Sequence, residues 1–390
     1  MPRVLWPLMF GNFVIGTGVM MVTGILNEVS TSLNVSIATA GQLISSSALC
    51  TCIGAPLCAA WVAGWDRQKL LTASLLWYSV LHAMAAWSAE FYALLGWRAM
   101  AMVGAAIFTP QAASCIGLLV PAAQRGRAIT FIFLGWSVAS VIGTPLGAWL
   151  SGTLGWRYAF GLISALSLWS AAWLWRTLPT KIVPAALSRA AWATTLSSRT
   201  IMLTVSVTMV SGAGQFVLLS YMAPYLKNII GASTSALSML LLLYGICGFI
   251  GNAFIARYID RISPSRSVMV SLSCMVCGMA LWPQAETPMG LVLAFIPWGL
   301  GVFSANSAQQ ARLVQLAPDL ASASVAMNSS AIYGGQAIGA ALGGWLVLHQ
   351  GLRALPGHAV LVMVLAMAVS WQASRYALSH PVPQPGTEHR

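Results

Sequence analysis

The chain has 390 residues, 58% of them hydrophobic and only 7% charged, with a mean hydropathy of +0.79. Soluble domains carry about 25% charged residues, so a soluble globular protein is excluded: charges this sparse cannot cover its surface. The formal net charge of +12 then belongs to residues flanking a membrane and facing anionic lipid heads, and calls for no nucleic-acid partner.

The apolar runs are continuous over roughly 20 residues rather than alternating, which selects helices over a barrel. In chain order the spans are predicted at about 4–26, 40–63, 70–88, 92–118, 128–151, 158–178, 200–223, 235–256, 268–285, 290–311, 322–346 and 357–377. The first run has no clear small-x-small cleavage site and reads as a span, not as a removable signal. The longest connection is mid-chain and basic, with Lys181, Arg189 and Arg199. It divides the chain into an N-terminal bundle (1–180), a cytoplasmic linker (181–199) and a C-terminal bundle (200–390). The expected fold class is an all-α integral membrane protein with twelve transmembrane helices arranged as two six-helix pseudo-repeats.

The 19 Lys and Arg residues fix an expected orientation. With the N-terminus inside, only Arg157, Lys227 and Arg353 fall outside, and Arg98 falls within a span. The rest are cytoplasmic, so both termini are expected there.

Two echoes mark the repeat. The loop GWDRQK, Gly64–Lys69, returns as RYIDRISPSR, Arg257–Arg266. The run GTPLGAWL from Gly143 returns as GAALGGWL from Gly339. Parallel six-helix repeats are an architecture of secondary transporters, whose solute site lies between the repeats near the midplane.

These motifs, with RAMAMVGAA around Arg98 and GTPLGAWLSGTLGWRYAF at Gly143–Phe160, carry a resemblance over nearly the whole chain. It resembles the major facilitator superfamily, in particular the twelve-span drug–proton antiporters of the sugar-efflux type. The resemblance implies a conformational latch at Asp66 and Arg67 and again at Asp260 and Arg261, and a helix joint at Gly143, Pro145 and Gly147. Plain positive-inside topology and ordinary helix packing are the alternatives for these two motifs. The first loop copy departs from the family pattern, with Val62 in place of the usual glycine four residues before Asp66.

Arg98 is the lone charge between Phe91 and Val120. A charge inside a span is costly and marks a functional site by default; the resemblance implies an arginine facing the cavity, and snorkelling to the outer surface is the alternative. Relatives often carry an acid in the first helix, where this chain has Val19. All seven acids fall in loops or at span ends, leaving Glu28 as a conceivable partner for Arg98 and His82 as the other titratable candidate. Solute contacts are then expected from neutral polar groups on the spans that line the cavity in this fold: Asn12, Thr17, Gln111, Gln215, Tyr221, Asn306 and Gln336.

The seven cysteines, including the Cys274/Cys277 pair, lie within spans and read as small apolar residues. No cofactor or metal site is expected, and no enzyme motif is present. The expected function is proton-coupled export of a small organic solute by a monomer in a bacterial inner membrane, with protons and lipid as further partners. The alternatives are an uncoupled facilitator or importer of the same fold, or a non-transporting sensor or scaffold.

Overall fold

The computed structural model describes residues 2–62, 64–121, 125–183, 189–285 and 287–380. Among them there is no strand, and the helices run α1 Leu5–Met20, α2 Val22–Ser32, α3 Ile37–Trp61, α4 Arg67–Ala86, α5 Phe91–Leu119, α6 Arg125–Thr153 and α7 Trp156–Thr177. They continue with α8 Arg189–Ser197, α9 Arg199–Leu219, α10 Met222–Asn228, α11 Thr234–Ile262, α12 Pro264–Leu281, α13 Pro288–Leu316, α14 Ala321–Gln350 and α15 Leu355–Ser379.

Among the described residues, ten helical segments are long and apolar enough to cross a membrane, and the bent α1–α2 pair makes an eleventh. The remaining long helix, α4, has 20 residues but carries Arg67, Gln68, Lys69, Thr72, Ser74, Ser79 and His82. These groups make it less apolar than the others, and its neighbours bury most of them. With α4 included, helices occupy all twelve predicted spans in order. Within the linker lies a nine-residue helix, α8.

The chain forms two compact units. Unit 1 comprises Met1–Ala186 and Tyr221–Leu242; unit 2 comprises Leu187–Ser220 and Leu243–Arg390.

In unit 1 the first span breaks at Met21, where α1 and α2 meet at 45°. The break moves the Gly24 N–H to the Met21 carbonyl (2.9 Å), which leaves the Met20 carbonyl without its helical donor. In a membrane such a group must be satisfied internally. Thr23 Oγ1 (2.9 Å) and Thr144 Oγ1 of α6 (3.0 Å) donate to it. The kink is therefore held by side chains of two helices and involves no proline.

The repeat is visible as backbone geometry. Gly143 packs on the Thr17 carbonyl of α1, and Gly339 packs on the Ala213 carbonyl of α9; both members are 196 positions apart. Gly104 meets the Ser74 carbonyl and Gly301 meets the Ser271 carbonyl, at an offset of 197. Gly155 (φ 109°) turns α6 into α7, and Gly351 (φ 81°), again 196 later, turns α14 into α15. Left-handed φ at both turns explains why both are glycine.

Candidate functional site

Arg98 lies two turns into α5 and is 1% exposed. Its Nη1 is 3.0 Å from Nε2 of His82 on the adjacent α4. The other ring nitrogen, Nδ1, is 2.8 Å from the Tyr78 carbonyl. A carbonyl only accepts, so Nδ1 carries the hydrogen and Nε2 offers its lone pair to the guanidinium. The Tyr78 ring lies 4.1 Å from the imidazole centroid, and its hydroxyl donates to the Ile15 carbonyl of α1 at 3.3 Å. Phe160 of α7 closes the other side, 5.8 Å from His82. No carboxylate touches this group among the described residues, and the Arg98 Nε has no partner. Arg98 is thus enclosed among side chains of unit 1.

Glu28, a conceivable partner of Arg98 in the sequence, does not pair with it. Glu28 ion-pairs with Lys227 instead, both within unit 1. Sequence alone could not select this partner, 199 positions away. The pair borders a cavity of about 650 Å3 lined also by Asn27, Ser32, Trp156 and Arg157. Arg157 stacks over Trp156 at 4.3 Å and donates to Ser32 Oγ (3.3 Å) and the Ser88 carbonyl (2.9 Å).

The other polar positions of unit 1 are buried. Asn12 donates to the Ile132 carbonyl (3.1 Å) and accepts from Thr109 Oγ1 (2.9 Å), which in turn accepts from Trp136 Nε1 (3.3 Å). Thr17 is wholly buried with no partner for its hydroxyl among the described residues. Gln111 accepts from Ser114 at 3.4 Å. Tyr221, at the break before α10, is fully buried against Gly41.

The Asp-Arg loop motif is tied to the chain that follows α7. Asp66 caps α4 by accepting the Lys69 N–H (3.2 Å), and its second oxygen accepts the Lys181 N–H. The Arg67 N–H donates to the Ile182 carbonyl (2.9 Å). The Arg67 guanidinium is buried and donates to the carbonyls of Val62 (3.0 Å) and Trp65 (2.7 Å). Every one of these partners is in unit 1. In the second copy Arg261 is exposed, and the Asp260 side chain lies outside the described residues.

The Gly-Pro motif of α6 seats on the kink. Gly147 faces the Met21 carbonyl, where a Cβ would come within 2.7 Å, and Gly143 faces Met20 and Thr17 at 3.2 Å. Pro145 lies inside α6 between them. Close approach of two backbones at Gly is the packing mode expected in lipid.

In unit 2, Gln215 donates to the Tyr244 hydroxyl (3.2 Å). Asn306 accepts from Asn328 (3.2 Å), whose amide oxygen accepts from Thr208 (2.5 Å). Gln336 is buried. Sequence reading missed Arg312, counting it as a cytoplasmic charge. It is 5% exposed and donates to Ser370 Oγ (3.3 Å), the Ser370 carbonyl (3.4 Å) and Ser374 Oγ (3.0 Å). The i, i+4 serine pair on α15 was the available signal.

All seven cysteines are free thiols. No group of three His, Cys, Asp or Glu residues able to hold a metal gathers among the described residues.

A sequence model of the Major Facilitator Superfamily matches residues 8–333 and 205–389. The inner membrane transport protein YdhP of Escherichia coli (strain K12) is 27% identical over 378 residues, covering 96% of this chain and 97% of that protein. A chloramphenicol resistance protein of Streptomyces lividans is 29% identical over 310 residues, covering 77% and 78%. Among solved structures, a bacterial homologue of the human lysosomal transporter Spinster superposes with a TM-score of 0.78 at 17% identity, covering 98% of both chains. A D-xylose–proton symporter does so with a TM-score of 0.77 at 16% identity, covering 95% and 97%. At these identities the structural likeness speaks for the fold alone.

Proposed function

The chain belongs to the Major Facilitator Superfamily, and from that premise we propose that it exports small neutral or anionic organic solutes by alternating access, driven by the proton gradient. The observation that carries the charge preference is the inventory of the interior. Arg67, Arg98 and Arg312 are buried, and no Asp or Glu is buried among the described residues. A lone cation entering such an interior meets like charge and no counter-charge in a medium of low dielectric. Neutral polar solutes find amides and hydroxyls instead. Gln215 and Asn306 are the leading solute contacts, since each keeps part of its side chain exposed, with Asn12, Thr17, Gln111, Tyr221 and Gln336 behind them.

Export as the direction is supported by the chloramphenicol resistance protein among the relatives. The inner membrane location is supported by the Escherichia coli relative, and cytoplasmic termini by the charge bias of the loops. The working unit in this reading is the monomer.

The test uses everted vesicles from cells producing the chain, with chloramphenicol as the neutral probe and tetraphenylphosphonium as the cationic one. An imposed pH gradient should drive chloramphenicol into the vesicles and leave the cation unaffected. Gradient-driven uptake of the cation alone would refute the charge preference, and solute movement indifferent to the gradient would refute coupling.

A further inference from the structure

We propose that His82 is the residue that takes up the coupling proton, in direct competition with Arg98 for the lone pair on Nε2. The inference deepens the export reading above and rests on it for the word coupling.

The repeat supplies the comparison that reveals it. At the offset of 197 that relates α4–α5 to α12–α13, Arg98 corresponds to Phe295, His82 to Met279 and Tyr78 to Met275. Those three are 0%, 0% and 1% exposed. Phe295 packs on Trp282 and Trp298, with ring centroids 4.9 and 6.2 Å away. The same place in the same fold is thus filled by uncharged aromatic and methionine side chains in unit 2. Packing alone does not require an arginine and a histidine in unit 1, and replacing buried charges by well-packed apolar groups is often neutral or stabilising. A buried guanidinium is instead costly in a membrane.

The geometry specifies what the costly pair does. The Nδ1–H is committed to the Tyr78 carbonyl, so the Nε2 lone pair is the single basic site on the ring. Arg98 occupies it. A proton delivered by hydronium, whose O–H bond breaks to release water, forms an N–H bond on that lone pair, and the acceptor becomes a donor carrying positive charge. Two donors and two like charges then face each other at 3.0 Å, and the Arg98 hydrogen bond breaks. Guanidinium and proton are mutually exclusive occupants of that lone pair, so protonation leaves Arg98 to the adjoining Tyr78 hydroxyl or moves it to another partner. The charged and titratable groups facing His82 are Tyr78 of α4 and Arg98 of α5. Phe160 of α7 and the Ile15 carbonyl of α1 complete the surround. With no carboxylate there among the described residues, nothing neutralises the second charge and the response is displacement.

Position fits the role. His82 is one turn from the end of α4 at Ala86, and Arg98 is two turns from the start of α5 at Phe91, which is about 6 and 11 Å of helix rise. In the orientation proposed above these ends face the outside, where the gradient delivers protons.

The experiment is nitrogen NMR of the full chain labelled with 15N-imidazole histidine, titrated from pH 8 to pH 5 in lipid nanodiscs. His82→Met, the residue its counterpart already uses, identifies the resonances by their loss and is expected to fold. At pH 8, His82 should show one protonated and one bare nitrogen; toward pH 5, Nε2 should move into the protonated range. In Arg98→Phe the same conversion should occur at higher pH, because the competitor is gone. An Nε2 that stays bare through pH 5, or an unshifted titration in Arg98→Phe, overturns the proposal. The titration needs no transported solute. A His82 that titrates in a protein indifferent to pH gradients would sink proton coupling and with it the coupling role of His82, while a bare Nε2 in a protein that follows the gradient would sink His82 alone.

Discussion

Glu28 at the far end of the bent first span is ion-paired to Lys227 just beyond the seventh, each side chain 19% exposed. The second Glu28 oxygen has no partner among the described residues. Removing one member of such a part-buried pair strands the other charge. Glu28→Gln and Lys227→Met should therefore each lower the unfolding midpoint, and the double variant should lose less than their sum. A double-mutant cycle on thermal unfolding in detergent should return a coupling of about 1 kcal/mol. Additive losses would mean that the pair contributes nothing in solution.

Asp66 separates two roles in one side chain. As the cap of α4 it needs only an oxygen, and asparagine caps as well as aspartate. As the anchor of the Lys181 backbone N–H it uses its second oxygen, where asparagine would present a donating NH2. Asp66→Asn should leave membrane abundance and stability near wild type while slowing transport. Asp66→Ala should also lose about 1 kcal/mol with the cap. Transport at the wild-type rate in Asp66→Asn would remove any latch role.

The glycines of α6 should be graded by what a methyl group would meet. At Gly147 it meets the Met21 carbonyl at 2.7 Å, a backbone atom that cannot swing aside. At Gly143 the nearest atoms are 3.2 Å away. Gly147→Ala should reduce folded yield several-fold, and Gly143→Ala should be milder. Fluorescence-detected size exclusion of the two variants would show the order, and a reversed order would place the tight contact elsewhere.

Arg312 should show the inversion expected of a buried charge. Its acceptors are the two hydroxyls and one carbonyl of Ser370 and Ser374. Deleting the hydroxyls with Ser370→Ala and Ser374→Ala together leaves the guanidinium half-satisfied, whereas Arg312→Leu removes the demand itself. The serine double variant should unfold at a lower temperature than Arg312→Leu. The opposite ranking would show that the guanidinium carries packing or function of its own.

The spans were legible because lipid enforces runs of about 20 apolar residues, and each predicted run has its helix. The break at Met21 was not, because its cause lies on α6: Thr144 and Gly147 create the place where the first span can bend. The Arg98–His82 contact joins neighbouring helices of a hairpin, and both residues stood out in the sequence, yet neither pointed to the other. Charge counting hid Arg312, since an arginine near a span end looks the same whether it faces lipid heads or two serines. Lys227 was invisible as a partner of Glu28 because no local pattern links residues so far apart.

The small mismatch between the offsets, 196 for the α1–α6 pair and its copy but 197 for α4–α5 and theirs, records how the two halves drifted from a common ancestor. The offset changes between the first and third spans, where the Asp-Arg loop itself stands at 194 (Asp66 to Asp260), and again between the fourth and fifth. Had either change fallen inside a helix, every side chain beyond it would have rotated by about 100° and the glycine-to-carbonyl seats would have been lost. Lengths could thus vary in the connections while the helices kept phase. Side chains inside that frame were free to diverge, one copy keeping an arginine and a histidine where the other keeps phenylalanine and methionine.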